Sequence, residues 1–295
     1  MSASDFLAGK CVFITGAARG IGAAAARRLH QCGASVALVG LEVEAMQAIA
    51  QELGSRAACF EADVSDQSAV LHAVDAVVSQ FGSIDVVIAN AGIYTVTTFA
   101  EAPAGAVERT LNVNLYGVWH TIQATLPHIL ESKGYILTVS SMAALTNGAF
   151  MGAYAASKAG VEAMTNSLRV EMKYRGVDVG CAYFAAIDTD LVRGGQQHPA
   201  MEILTPMYPR FMDPVPLSDA IDAIEKGIRK RSARIWVPGW LSIVIALRGI
   251  IQPLLERSAV RDKRYTQALE LSVRESGNLF GQDAELGVSV NTRAK

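Results

Sequence analysis

Apolar and polar positions along this chain fall into blocks. Short, nearly continuous apolar runs at Val12 to Ile14, Val36 to Val39, Ala57 to Phe60, Val86 to Ala89, Tyr135 to Val139, Val179 to Phe184 and Ile235 to Val237 read as strands covered on both faces. Between them lie stretches of helical character that begin near Ile21, Glu42, Asp66, Pro103, Tyr154 and Ser218. A long helix is expected from Gly105 to Ile129. Strands that alternate with helices predict an α/β fold, a single doubly wound parallel sheet of Rossmann type with helices on both faces and right-handed crossovers. No short-period internal repeat interrupts the alternation.

The pattern changes twice late in the chain. Leu191 to Leu217 is a long connection with prolines at 199, 206, 209 and 214, and it carries Met201, Met207, Tyr208, Phe211 and Met212. A connection of this length is usually a lid, here about residues 190–217. Its methionines and aromatics either line a pocket for a bulky apolar ligand or pack the lid onto the core. Past Trp236-Val-Pro-Gly-Trp240, an apolar run from Leu241 to Leu255 is broken by Arg248, Gly249 and Pro253, too short and too interrupted to span a membrane. It would cover the pocket, form a subunit contact or lie on a membrane surface, in that order of expectation. The domain reading is therefore residues 1–240 for binding and catalysis, and 241–295 for a helical extension ending in a polar, mobile or partner-swapped tail.

Composition narrows the picture. A net charge of −2 gives no general reason to expect nucleic acid or acidic membranes as partners. The five histidines have no metal-ligand spacing, and His198 in the lid reads as an ordinary exposed residue. Cysteines at 11, 32, 59 and 181 show no paired spacing and, with no charged-then-apolar leader in Met1 to Lys10, point to a cytoplasmic protein with reduced thiols.

Two motifs carry chemistry. Thr15-Gly-Ala-Ala-Arg-Gly-Ile-Gly22 follows the run Cys11-Val-Phe-Ile14 and opens the alanine-rich stretch Ala23 to Leu29, the strand, glycine turn and helix order that a dinucleotide needs. Gly16, Gly20 and Gly22 let the backbone approach a pyrophosphate, which would sit at the amino terminus of the helix. Farther on, Tyr154-Ala-Ala-Ser-Lys158 places a phenol and an ammonium on one helical face, with Ser141 thirteen positions upstream of Tyr154 in Val139-Ser-Ser-Met-Ala-Ala144. A cation beside the phenol favours its ionised form, making a base from a weak acid, and Ser141 would hold the substrate oxygen.

With these motifs in this order, the chain resembles the classical short-chain dehydrogenase/reductase family over about residues 7–240. The resemblance extends to Asp63-Val64 after the third strand, to Asn90-Ala-Gly92 and to Asn114 in Leu111-Asn-Val-Asn-Leu115. It implies Asn114, Ser141, Tyr154 and Lys158 as catalytic residues. It also implies a cofactor site drawn from Gly16, Arg19, Gly20, Ile21, Gly22, Glu42, Asp63, Val64, Asn90, Ala91, Gly92, Tyr154, Lys158, Ile187 and Thr189. Asp63 would contact the adenine, Asn90 would brace the sheet beside the adenosine ribose, Lys158 would hold the nicotinamide ribose, and Thr189 would meet the carboxamide. Asn114, interrupting its helix, would position a water that connects Lys158 to solvent. A homodimer or homotetramer is implied, with contacts through the helices starting near Gly105 and Tyr154.

The implied reaction is hydride transfer between a secondary alcohol or ketone and NAD or NADP. A non-catalytic binder would have no need of all four catalytic residues. An epimerase or dehydratase using the same tyrosine and lysine would resemble Thr-Gly-x-x-Gly-x-x-Gly at the glycine turn. Two departures stand out. Phe184-Ala-Ala-Ile-Asp-Thr189 replaces the family's Pro-Gly after the sixth strand, and Val36-Ala-Leu-Val-Gly-Leu-Glu42 lacks the acidic residue that would accept the ribose hydroxyls at Gly40. Glu42 supplies a carboxylate slightly farther along and Arg19 a cation, and the balance favours NAD because Glu42 would repel a 2'-phosphate.

Overall fold

In the computed structural model, which describes residues 6–207 and 210–275, the seven apolar runs form one parallel sheet. Its strands are β1 (Cys11–Thr15), β2 (Ser35–Gly40), β3 (Ala57–Glu61), β4 (Val86–Ala89), β5 (Tyr135–Val139), β6 (Asp178–Phe184) and β7 (Arg234–Val237), in the order β3-β2-β1-β4-β5-β6-β7. The register aligns Val12 with both Val36 and Val86, and Ile136 with both Val87 and Val179. The strand order reverses between β1 and β4, so a crevice opens at the carboxyl ends of these strands.

Helices cover both faces, as the apolar runs require. On one side lie α1 (Gly20–Gln31), α2 (Val43–Leu53) and α9 (Leu217–Lys230); on the other lie α3 (Gln67–Phe81), α5 (Gly117–Ser132) and α6 (Gly152–Lys173). Helix α9 buries Ala220, Ile221, Ile224 and Ile228, one stripe at helical spacing, and each isoleucine removed from water contributes about 1.5–3 kcal/mol. Helix α3 begins where Asp66 accepts hydrogen bonds from the amides of Ser68 and Ala69, and ends at left-handed Gly82.

The helix expected from Gly105 to Ile129 is present in three parts. These are α4 (Ala106–Leu111), a π-helical segment over Asn112–Tyr116, and α5. The expected interruption at Asn114 is thus a local change of winding, which redirects one side chain without ending the helix.

The connection expected to be a lid contains α7 (Asp190–Gln196), α8 (Pro199–Leu204) and short 3-10 turns at Thr205–Met207 and Arg210–Met212. Its ends meet: Ile187 forms a parallel bridge with Val215, and the Val215 amide donates to the Ala186 carbonyl at 2.7 Å. The extension forms α10 (Leu241–Arg261) and α11 (Lys263–Glu275). The expected helical extension is present, and α10 runs through Gly249 and Pro253. Both residues face solvent, where water takes the carbonyl that proline leaves unbonded. Helix α11, rather than α10, reaches the lid: Tyr265 and the fully buried Ala268 pack against Ala200, Leu204, Met201 and Met207 of the lid and against Phe150. Tyr208, Pro209 and the tail beyond 275 lie outside the described residues, as does the side chain of Phe211.

Candidate active site

The glycine turn between β1 and α1 is closed to larger residues. Gly16 has a φ of +64°, and a Cβ there would lie 2.8 Å from the Ala91 Cα; a Cβ at Gly22 would lie 2.2 Å from the Gly16 carbonyl oxygen. Asn90 braces the same turn by donating from Nδ2 to the carbonyls of Thr15 and Gly16 at 3.0 and 3.2 Å. The Thr15 hydroxyl accepts from the amides of Asn90 and Ala91 at 3.0 and 3.2 Å. No side chain caps α1 at Arg19, so its first-turn amides face the crevice with the favourable dipole end of a three-turn helix. Ile21 packs against the core beneath the turn. This cradle fits the pyrophosphate of a dinucleotide, and the close approaches at Gly16 and Gly22 are the observation that carries the fit.

Around the cradle, the expected positions divide. At the carboxyl end of β2, Arg19 and Glu42 pair across the turn at 3.0 Å, both well exposed. The Asp63 carboxylate accepts from the amide and hydroxyl of Ser65 at 2.8 and 2.7 Å, which orients it at the rim, while Val64 is buried against Gly117. Thr189, buried next to Gly20, donates to the Ile187 carbonyl at 3.2 Å. The missing Pro-Gly is replaced by main-chain anchors: the Ala185 amide donates to the Val237 carbonyl at 2.9 Å and the Asp188 amide to the Val215 carbonyl at 2.9 Å.

The four candidate catalytic residues converge at the ends of β4 and β5. Asn114 is fully buried, so it is neither a surface nor a capping asparagine. Its Oδ1 accepts from the Ile93 amide at 2.8 Å, and its Nδ2 donates to the Ile93 carbonyl at 2.9 Å and to the Ser157 hydroxyl at 3.1 Å. The asparagine thereby ties the loop after Gly92 to the turn of α6 that carries Lys158. Lys158 is 3% exposed; its Nζ donates to the Val139 carbonyl at 2.9 Å and lies 5.7 Å from the centre of the Tyr154 ring. Ser141 accepts from the Ala143 amide at 3.1 Å, which fixes its rotamer.

Burial governs the electrostatics of this group. It lowers Lys158 to about 8 and raises Tyr154 above its ordinary value, opposed only by the Ser141 hydroxyl. The expected stabilisation of the phenolate by Lys158 is therefore outweighed here: both groups are removed from water, and the ammonium is turned to the Val139 carbonyl.

A fifth residue adjoins the four. The ring of Tyr94 packs on Tyr154 with centroids 5.1 Å apart and planes tilted by 58°, and burial lifts its phenol to about 12. A Cβ at Gly195 of α7 would approach Tyr94 to 2.8 Å, so α7 lies directly against this ring. Its one sequence signal is an aromatic two residues beyond Gly92; the sixty residues separating it from Tyr154 conceal the contact. Met201 and Met207 are occupied in packing the lid to α11, and His198 caps α8 by accepting from the Ala200 amide at 3.2 Å. Among the described residues no cluster of His, Cys, Asp or Glu could hold a metal, and no helix is long and apolar enough to cross a membrane.

Comparison with known proteins matches residues 10–199 to the family described as short chain dehydrogenase. The chain belongs to the short-chain dehydrogenase/reductase family. Its relatives in that family include L-rhamnose 1-dehydrogenase (NAD(P)(+)) of Sphingomonas sp., 33% identical over 211 residues that make up 68% of this chain and 83% of the relative. They also include (-)-trans-carveol dehydrogenase of Rhodococcus erythropolis, 34% identical over 203 residues, 63% of this chain and 73% of the relative. Among solved structures, a short chain dehydrogenase from Burkholderia cenocepacia in complex with NADP superposes with a TM-score of 0.71 at 30% identity, covering 78% of this chain and 96% of that one. This short-chain dehydrogenase is an oxidoreductase that uses NAD or NADP.

Proposed function

We propose that this short-chain dehydrogenase interconverts a bulky, apolar secondary alcohol and the matching ketone, with Asn114, Ser141, Tyr154 and Lys158 as its catalytic residues. The observation that carries the reading is the convergence of Ser141, Tyr154 and Lys158 beside the glycine cradle, with Asn114 tying Lys158's helix to the loop at Ile93.

In alcohol oxidation the Tyr154 phenolate accepts the hydroxyl proton, and in ketone reduction the phenol returns it. Ser141, its rotamer held by the Ala143 amide, donates a hydrogen bond to the same substrate oxygen. Lys158 would hold the ribose hydroxyls next to the nicotinamide, and Asn114 would position a water that passes protons between Lys158 and solvent. The nicotinamide, when bound, takes or gives the hydride. Gly16, Gly20 and Gly22, with Ile21 beneath them, hold the pyrophosphate. When the cofactor is bound, Asp63 and Val64 would border the adenine, Asn90, Ala91 and Gly92 the adenosine ribose, and Ile187 and Thr189 the carboxamide.

For the cofactor we favour NAD. Glu42 stands beside Arg19 and neutralises the cation that a 2'-phosphate would need, while its own carboxylate accepts ribose hydroxyls. For the substrate, support comes from the aromatic wall of Tyr94 against Tyr154 and from the likeness to a carveol dehydrogenase. A homodimer or homotetramer would use α4, α5 and α6, and the free cysteines, three of them buried, suit a cytoplasmic setting.

Nicotinamide absorbance with NAD or NADP and a panel of terpenoid, steroid, aryl, sugar and small aliphatic alcohols tests all of these points. We expect turnover of the bulky apolar alcohols with a lower KM for NAD, and a loss of at least a hundredfold in kcat for Tyr154→Phe with cofactor binding intact. Retained turnover in Tyr154→Phe would remove the tyrosine from the chemistry, and a preference for sugars would overturn the substrate class.

A further inference from the structure

Helix α10 carries two opposed stripes. Leu241, Val244, Ile245, Arg248 and Gln252 face inward. The apolar ones pack on Cys181, Tyr183 and Trp236, Arg248 pairs with the buried Glu162 at 3.2 Å, and Gln252 accepts from the Asn147 amide at 2.8 Å. On the opposite side Ile243, Leu247, Ile250 and Leu254 repeat at the same helical spacing and are 60, 45, 64 and 57% exposed. This outer stripe runs about 17 Å at 1.5 Å per residue.

At its carboxyl end the same face turns basic with Arg257 and Arg261, and Lys263 follows just beyond at the start of α11. Residues 241–264 hold five cations and two anions, a net charge of +3 against −2 for the whole chain. Two of the cations are spent, Arg248 on Glu162 and Arg264 on Asp262; Arg257, Arg261 and Lys263 have no ion pair among the described residues. A depression of about 580 Å³ lined by Leu254, Arg257, Ser258, Arg261 and Asp262 sits where the apolar stripe meets the arginines.

We propose that this face of α10 docks the enzyme on the surface of an anionic lipid bilayer. The four apolar side chains enter the headgroup–acyl boundary, and Arg257, Arg261 and Lys263 meet phosphate groups, one of them in the depression beside Leu254. Charge complementarity selects this occupant over a second copy of the chain. A parallel copy would set Arg257 and Arg261 against their own counterparts, and an antiparallel copy would lay them over Ile243. A bilayer surface accepts the apolar half and the basic half together.

Cosedimentation of the full chain with phosphatidylcholine vesicles, with and without phosphatidylglycerol, tests the proposal; light scattering without vesicles accompanies it. We expect pelleting with the anionic vesicles, weakened by salt, and at least tenfold weaker binding to phosphatidylcholine alone. Ile250→Glu with Leu254→Glu, and separately Arg257→Gln with Arg261→Gln, should each lose tenfold or more on anionic vesicles while thermal unfolding and solution mass stay unchanged. Absence of pelleting, or equal pelleting by either variant, overturns the proposal. A smaller solution mass for the glutamate variant also overturns it and assigns the stripe to a second copy of the chain.

Discussion

Lys158 is almost wholly removed from water and its Nζ donates to a neutral carbonyl, so the ammonium is disfavoured and its pKa falls from 10.5 to about 8. The unfolded chain keeps this proton up to about pH 10.5 while the folded chain releases it near 8. Across that window the unfolded state binds more protons, so folding becomes more favourable as pH rises. A shift of this size corresponds to about 3 kcal/mol, a cost borne in full below pH 8 and relieved toward pH 10.5. Denaturant unfolding of wild type and Lys158→Met at pH 7 and pH 10 should therefore show wild type gaining on the variant by about 2–3 kcal/mol; a pH-independent difference would mean that the lysine is not desolvated. The shifts of Cys11 and Tyr154, both raised by burial, act in the opposite sense, but the difference between the two proteins isolates Lys158 from Cys11. Much of this site is legible as residue types at fixed spacing: the glycines, Asn90, Asn114, Ser141, Tyr154 and Lys158 all meet around one crevice. Tyr94 is not, because a contact with Tyr154 across sixty residues leaves no periodic trace, and the turning of Lys158 toward Val139 depends on a carbonyl that every residue type carries.

At the scale of elements, the sheet is readable because a parallel strand is covered on both faces. Val36 to Val39 shows it as an unbroken apolar run and Tyr135 to Val139 as one interrupted only by Thr138; the structure extends the first by one residue at each end and leaves the second unchanged. Elements set by tertiary context are harder to read. Leu191 to Leu217 has no sustained helical period, yet two short helices form there, the second where α11 supplies Ala268 and Tyr265 to cover Ala200 and Leu204. Helix α10 looks broken at Gly249 and Pro253, yet it persists because its inner stripe is tied at Arg248 and Gln252. The clamp of α11 reaches beyond the lid: the Ser272 hydroxyl donates to Glu101 at 2.8 Å, and Glu101 also accepts from Thr98, so one helix holds both the lid and the loop that follows Tyr94. Placing a charge at the contact separates the clamp from the core. In Ala268→Arg the guanidinium cannot remain buried against Ala200 and Leu204, so α11 should lift away. Limited proteolysis should then cut within residues 190–214 and KM for the alcohol should rise several-fold, while the main unfolding transition of the sheet moves little. Unchanged protease resistance and KM would show that the lid holds its place without α11.

For the whole molecule, the doubly wound sheet buries its own core but leaves aromatic residues on the α5 and α6 side uncovered. Tyr116 and Trp119 are 53% and 42% exposed there, and Trp119 borders a groove of about 220 Å³ with Ile122, Met164, Ser167, Leu168 and Glu171. An exposed tryptophan next to a shallow apolar groove suits a self-complementary contact, in which the tryptophan of one copy fills the groove of the other about a two-fold axis. This surface is distinct from the outer stripe of α10, so a subunit contact here and lipid docking there would make separate demands on the molecule. The groove also holds Glu171, and a second carboxylate at 119 would face it across the two-fold in the assembled pair, where like charges without partners are costly. Trp119→Glu should therefore lower the mass measured by light scattering at micromolar concentration to that of a smaller assembly, without loss of helical signal. Vesicle binding per chain should persist, because Ile243, Leu247, Ile250 and Leu254 are untouched. If Trp119→Glu keeps the wild-type mass, α5 and α6 are not the contact; if wild type is itself a monomer, the exposed tryptophan serves no assembly.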